Sequence, residues 1–252
     1  MTATREEADE FMKAGDFEAA VAAYDRVIKL QPDDKYALSN RALSNEKLEN
    51  FEAAYDDYAK LIQMKFNTRK AYLGRARCSF EMENYEGAIF DTNILLKVDP
   101  ENLDASALRG RSFVKLGQAN DAITDLSRVL DQRPNDVQLL VSRGVAWVRG
   151  GAGASGIKDF DRALKIQPNL PVANFNKGVV FYMYENWDAA IEYLDIAIQQ
   201  DPDYYEAFAR RGMAKVESSF HSVSGACADF EKAKSIEKND ELTLALIKNY
   251  CK

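Results

Sequence analysis

The prolines of this chain follow a fixed interval of 34 residues. Five of the six share one register, which runs through Pro32, Pro100, Pro134, Pro168 and Pro202. Between Pro32 and Pro202, Phe66 occupies the one place in this register that lacks proline, and Pro171 is the proline that stands outside it. A period of this length is typical of stacked structural repeats, so the chain is predicted to be a repeat array rather than one globular core.

Each interval predicts a pair of helices and no strand. Apolar residues recur at helical spacing, as at Ala20, Tyr24 and Val27, and Thr4 with Glu7 predicts a capping box for the first helix. Proline ends each second helix because it cannot continue a helix interior. The predicted repeats are 1–34, 35–68, 69–102, 103–136, 137–170, 171–204 and 205–238. A last helix at 240–250 is predicted to cap the final repeat.

Two repeats depart from the pattern at their turns. The fifth has a glycine-rich turn at residues 150–156. Since glycine costs a helix about 0.5–1 kcal/mol relative to alanine, the second helix is predicted to start late, at about Ser155, beside a soft joint. The G-x-G-x-x-G spelling of this turn is not a dinucleotide fingerprint, because it follows no strand. The seventh repeat has two extra residues around His221, the one histidine, so neither a histidine-based catalytic triad nor a histidine-rich metal site is expected.

Composition limits the function and the location. The net charge of −7 argues against nucleic-acid binding, which usually requires a basic surplus. No apolar run is long enough to span a membrane, and the acidic start does not resemble a signal peptide, so a cytoplasmic location is expected. Cys78, Cys227 and Cys251 are scattered, which favours reduced thiols in a reducing compartment and gives no metal-ligand spacing. No cofactor is predicted.

Two positions of every repeat carry a small residue, counting from the first residue of each predicted repeat. Position 8 holds Ala8, Ala42, Ala76, Gly110, Gly144, Gly178 and Gly212. Position 20 holds Ala20, Ala54, Ala88, Ala122, Gly156, Ala190 and, after the insertion, Ala226. Small residues at both positions let the paired helices approach closely. With proline at position 32, this pattern resembles that of the tetratricopeptide repeat proteins over nearly the whole chain.

The resemblance implies an all-α fold, a right-handed α-solenoid superhelix of seven helix-turn-helix repeats. It further implies that the first helices line a concave groove and that the protein binds other proteins without enzymatic chemistry.

A cation and an aspartate recur together in most repeats. Position 7 holds Arg41, Arg75, Arg109, Arg143, Lys177 and Arg211. Sixteen residues later stand Asp57, Asp91, Asp125, Asp159 and, after the insertion, Asp229. Repeat one lacks both partners, and repeat six has Tyr193 in place of the aspartate. The joint recurrence predicts an ion pair between the two helices of a repeat, with contact to a ligand as the alternative.

Helix phase predicts which side chains of the first helices face the groove. The candidate partner-binding residues are Arg5, Asn40, Lys70, Arg77, Arg111, Phe175, Asn176, Tyr182 and Arg210. They predict a basic and amide-bearing patch in repeats two to four of an acidic protein, with aromatic groups further along. A plain solvated surface is the alternative interpretation.

Three functions follow from this surface. The first is a non-enzymatic adaptor or scaffold that binds a peptide or helix in the groove. The second is a co-chaperone that clamps the terminal carboxylate of a chaperone: Asn40 and Lys70 match that subclass and Arg5 is a tolerable substitute, whereas Asp9 and Gly74 do not match. The third is a structural subunit of a larger assembly, held by the second helices and the cap. The sequence leaves the partner and the oligomeric state open.

Overall fold

The computed structural model describes residues 5–218 and 223–251, which form fifteen α-helices. These helices are α1 (Arg5–Ala14), α2 (Phe17–Leu30), α3 (Lys35–Lys47), α4 (Phe51–Gln63), α5 (Thr68–Glu81), α6 (Tyr85–Val98), α7 (Leu103–Lys115), α8 (Ala119–Gln132), α9 (Val137–Arg149), α10 (Gly153–Ile166), α11 (Pro171–Met183), α12 (Trp187–Gln200), α13 (Tyr205–Glu217), α14 (Val223–Ile236) and α15 (Glu241–Tyr250). Thr4 of the predicted capping box and His221 lie outside the described residues. No helix in the described ranges is both long enough and apolar enough to cross a membrane.

The helices pack as consecutive pairs in the register that the prolines predict. They divide into two compact units, Met1–Val129 and Leu130–Lys252, called unit 1 and unit 2 below. In unit 1, α1 contacts α3 and α5 contacts α7, while in unit 2 α11 contacts both α9 and α13. The first helices of neighbouring repeats therefore adjoin one another, and their shared surface is called the first-helix face. The predicted all-α class of tandem helix-turn-helix repeats is confirmed.

Glycine at position 8 of a repeat packs directly against a bulky side chain at position 24, which lies on the second helix of the same repeat. A Cβ atom at Gly144 would lie 2.4 Å from the ring of Phe160, and one at Gly178 would lie 2.7 Å from Leu194. Both of these partners are fully buried. Removing the Cβ atom thus lets the second helix of the repeat lie directly against the first.

The second helix of the fifth repeat starts at Gly153, so the expected late start at Ser155 is wrong. A Cβ atom at Gly153 would lie 2.5 Å from the hydroxyl of Tyr184. A Cβ atom at Gly156 would lie 2.8 Å from the carbonyl oxygen of Gly144 on the facing helix. Packing against α9 and α11 therefore overrides the weak helix propensity of glycine. The soft joint stays a prediction.

This contact predicts that Gly156→Ala destabilises the protein, although alanine is the better helix former. The new methyl group would collide with a backbone carbonyl, and overpacking of this kind costs about 1–3 kcal/mol. Urea unfolding followed by circular dichroism measures the change. Ala154→Ser, at an exposed position of the same helix, serves as control and should stay within about 0.5 kcal/mol of wild type. A stabilised Gly156→Ala variant would contradict the contact.

The cysteines differ from the sequence-based expectation. Cys227 and Cys251 form a disulfide, so the interpretation of all three as reduced thiols is wrong for this pair. The disulfide joins α14 to the end of α15, where Leu246 packs against Ala226 and Phe230. The predicted capping helix is thereby confirmed. Cys78 is a free, fully buried thiol, and burial raises its pKa to about 12.

Thiol titration with a chromogenic disulfide reagent should give three distinct counts. The native protein should show no reactive thiol, because Cys78 is buried and protonated and the other two cysteines are bonded. Denaturation without reductant should expose one thiol, and denaturation after reduction should expose all three. Three reactive thiols in unreduced, denatured protein would show that the disulfide is absent.

Candidate functional site

The arginines at position 7 bind the aspartates sixteen residues later through two hydrogen bonds each. The Nε and Nη2 atoms of Arg41 donate to the two carboxylate oxygens of Asp57 at 2.8 and 2.6 Å. Four further pairs repeat this geometry at 2.5–2.9 Å, namely Arg75–Asp91, Arg109–Asp125, Arg143–Asp159 and Arg211–Asp229. The five aspartates are buried. The predicted ion pair is confirmed, and these guanidinium groups serve the fold.

Several of these cations also contact the preceding repeat. Nη1 of Arg41 donates to Asp25 at 2.6 Å. The same third contact joins Arg109 to Asn93 and Arg211 to Asp195, each at 2.6 Å. The set of contacts along position 7 is called the arginine row.

Repeat six has lysine instead of arginine at position 7, and it has no aspartate sixteen residues later. Lys177 donates to Asp161 of the preceding repeat at 2.7 Å. Its ammonium lies 4.0 Å from the ring centroid of Tyr193, which replaces the missing aspartate. The cation is thus retained by an inter-repeat carboxylate and a cation–π contact.

The two carboxylates that bind Arg41 should differ in their contribution to stability. Asp57→Ala leaves a guanidinium that is only 23% exposed without its buried partner and should cost about 2–4 kcal/mol. Asp25→Ala removes a partner that is 55% exposed and should cost less than about 1 kcal/mol. Denaturant unfolding of both variants measures the difference. Equal losses would contradict a dominant role for the intra-repeat pair.

In unit 1, Asp9 engages one of the predicted groove residues. The amide of Asn40 donates to Asp9 Oδ1 at 2.9 Å, and the hydroxyl of Tyr24 donates to the same atom at 2.5 Å. Burial and this hydrogen bond raise the pKa of Tyr24 above its ordinary value. Arg5 lies 3.6 Å from Asp34, so it is partnered as well.

Glu46 has the corresponding role one repeat further along. Nε and Nη2 of Arg77 each donate to its carboxylate at 2.9 Å, and the hydroxyl of Tyr58 donates to the same group. Burial and Glu46 raise the pKa of Tyr58. Arg111 stacks on Phe80, with 4.5 Å between guanidinium carbon and ring centroid. Sequence reasoning missed Glu46, although Glu46 precedes Arg77 by the same 31 residues that separate Asp9 from Asn40.

Lys70, like Arg5, is a predicted groove residue of unit 1 that stays exposed. Among the described residues, no carboxylate lies within ion-pair distance of it. Its environment therefore differs from those of Asn40 and Arg77.

In unit 2, the structure brings Phe175 and Arg210 together in one pocket of about 90 Å³ on the first-helix face. The remaining lining residues are Tyr205, Glu206, Ala209, Asp240 and Leu242. Nη1 of Arg210 lies 3.8 Å from the sulfur of Met213, and no carboxylate among the described residues pairs with this guanidinium. The pocket thus combines an aromatic wall with an unpaired cation and with the carboxylates of Glu206 and Asp240.

Three alternate helices, α11, α13 and α15, contribute to this pocket. Sequence reasoning treated α15 only as a cap and missed Leu242. After the two-residue insertion, however, α15 begins where the first helix of an eighth repeat would begin. Asn176 instead donates to the carbonyl of Val172 in its own helix, and Tyr182 packs edge-on against Trp187, so neither lines this pocket.

The acidic groups near the pocket do not form a metal site. Asp240 accepts hydrogen bonds from the backbone and the hydroxyl of Thr243 at 2.8 and 2.6 Å, which caps α15. In residues 5–218 and 223–251, no three His, Cys, Asp or Glu side chains are grouped so that they could hold a metal ion.

Comparison with known proteins identifies the family. A sequence profile of the tetratricopeptide repeat matches residues 5–65 and 107–171, which together make up half of the chain. The chain belongs to the tetratricopeptide repeat family. No curated protein matches it.

Solved tetratricopeptide repeat structures share the fold. A protein from Parabacteroides merdae has a TM-score of 0.74 at 20% identity, covering 98% of this chain and 97% of its own. The C-terminal part of a repeat protein from Cytophaga hutchinsonii gives 0.69 at 14% identity, covering 97% and 99%. YrrB, described as a protein of this family with an unusual peptide-binding site, gives 0.56 at 20% identity, covering 76% and 97%.

Proposed function

We propose that this tetratricopeptide repeat protein is a non-enzymatic scaffold that binds a partner segment on the first-helix face of unit 2. The pocket lined by Phe175 and Arg210 is the observation that carries the proposal. Arginine and aromatic side chains are enriched at the cores of protein interfaces, and here the cation has no paired carboxylate to displace. The family fold and the peptide-binding site ascribed to YrrB support a polypeptide ligand.

The shape of the pocket defines the segment it would accept. A volume of about 90 Å³ suits one aliphatic side chain, which would pack against Phe175, Ala209 and Leu242. A carboxylate next to that side chain would pair with Arg210. We therefore expect an extended segment with an apolar residue beside an acidic one.

The predicted groove residues of unit 1 stay part of the proposal with a smaller role. A ligand that binds Asn40 or Arg77 has to replace Asp9 or Glu46, and it would leave that carboxylate unsatisfied. The co-chaperone hypothesis depends on Asn40 receiving a terminal carboxylate beside Asp9. No observation in this structure favours it.

The cytoplasmic location also stays a prediction. Disulfides persist mainly in oxidising compartments, so the bond between Cys227 and Cys251 favours such a compartment instead.

A second function, that of a structural subunit, has one observation in its favour. Phe90 and Val98 on α6 are 62% and 63% exposed. They are eight residues apart on one helix, so they share a side of it. A partner that binds these second-helix residues would not depend on the first-helix face.

Affinity capture from native lysate with mass spectrometry separates these functions. Phe175→Ala with Arg210→Glu should lose the partner, while Arg77→Glu with Arg111→Glu should weaken its capture less. Lys165→Glu, an exposed charge reversal elsewhere in unit 2, is the control and should retain it. Retention by the Phe175/Arg210 variant, with loss in Phe90→Ser/Val98→Ser, would replace the scaffold proposal by the subunit function. Circular dichroism checks that each variant is folded.

A further inference from the structure

Residues 58–80 contain six lysines and arginines and no acidic residue, although acidic residues outnumber basic ones by 40 to 33 in the chain. Three of these cations are partnered: Lys60 with Asp33, Arg75 with Asp91 and Arg77 with Glu46. The remaining three are Lys65, Arg69 and Lys70, all of them exposed. None of these three has a carboxylate partner among the described residues.

These three cations lie together in space. With Asn67 and Thr68, they line one open depression at the turn from α4 into α5. Three like charges this close together repel one another, and no carboxylate among the described residues lies within ion-pair distance of them. The arrangement is therefore unfavourable for the isolated fold and favourable for an anionic partner.

Two aromatic rings adjoin this turn. Phe66, which replaces the proline of the register, lies 5.2 Å from Tyr36 between ring centroids. Tyr36 is 59% exposed. The ammonium of Lys35 lies 5.7 Å from the Phe66 centroid. We call Lys35, Tyr36, Lys65, Phe66, Arg69 and Lys70 the cationic patch.

Three equivalent turns in other repeats have the opposite charge. Asp33 and Asp34 precede α3, Glu101 precedes α7, and Asp201 with Asp203 precedes α13. The cationic turn is thus a departure of this one repeat and not a requirement of the repeat fold.

We propose that the cationic patch is a second docking surface, for a partner polypeptide segment with clustered carboxylates and an aromatic residue. Charge complementarity selects the carboxylates, and the exposed Tyr36 ring offers a contact for the aromatic residue. A short peptide fits a patch confined to the start of α3 and the junction of α4 with α5. A long polyanion such as nucleic acid would extend over a protein whose net charge is −7 and be repelled there.

Fluorescence anisotropy with a labelled peptide of alternating Glu and Tyr tests this surface. The full-length protein should bind it, binding should weaken with salt, and the matching Gln–Tyr peptide should not bind. Lys65→Glu/Arg69→Glu/Lys70→Glu should raise the dissociation constant about tenfold or more. Phe66→Ala should raise it by a smaller factor.

A matched variant controls for net charge. Lys158→Glu/Lys165→Glu/Lys248→Glu makes the same change in charge at exposed positions of unit 2 and should bind like wild type. The proposal is overturned if wild type does not bind the Glu–Tyr peptide, if both triple variants lose affinity equally, or if a labelled oligothymidylate binds more tightly. None of these variants alters Phe175 or Arg210, so this result is independent of the unit 2 proposal.

Discussion

The contact between position 8 of the first helix and position 24 of the second is the constraint on which the rest of each repeat depends. Where position 8 is glycine, a bulky side chain from position 24 occupies the space of the missing Cβ atom, as Phe160 does against Gly144. The helix axes are therefore close enough for buried polar side chains to meet across the pair. In the fifth repeat, Gly156 lets the facing backbones approach further still. That close approach gives a physical reason for the poor helix formers where α10 begins.

The arginine row depends on the close approach of the two helices within a repeat. Its additional contacts also link one repeat to the preceding one. A guanidinium has enough donors to bind Asp57 through two hydrogen bonds and still reach Asp25 of the preceding repeat, as Arg41 does. Repeat six shows that the inter-repeat contact can persist when the intra-repeat one is lost, because Lys177 keeps Asp161 after Tyr193 has replaced the aspartate. A lysine suits this site because it makes a single contact and needs no bidentate partner.

Polar groups with hydrogen-bond or ion-pair partners inside the protein serve its structure, whereas polar groups without them are available to a ligand. The tyrosine hydroxyls and the acids of the unit 1 face satisfy one another and the neighbouring amide or guanidinium, so this network contributes mainly to the fit between repeats. Arg210 in unit 2 and the three cations near Phe66 have no such partners among the described residues. Both surfaces lie where a repeat departs from its neighbours, one beside the capping helix and the other where proline is replaced. Partner binding is expected at such departures because the regular positions serve the stacking of repeats.

The repeat register, the pairing of helices and the ion pair between position 7 and the aspartate sixteen residues later all follow from the sequence, because these features recur and each copy supports the others. The sequence also placed Phe175 and Arg210 on one face. Tertiary structure alone decided the start of α10, since helix propensity is local whereas contacts with α9 and α11 are not. It likewise decided the bond between Cys227 and Cys251 and the pairing of Arg77 with Glu46. The disulfide is a single contact between distant residues that no period in the sequence marks, and the 31-residue spacing of Glu46 and Arg77 is shared with Asp9 and Asn40, which are different residue types.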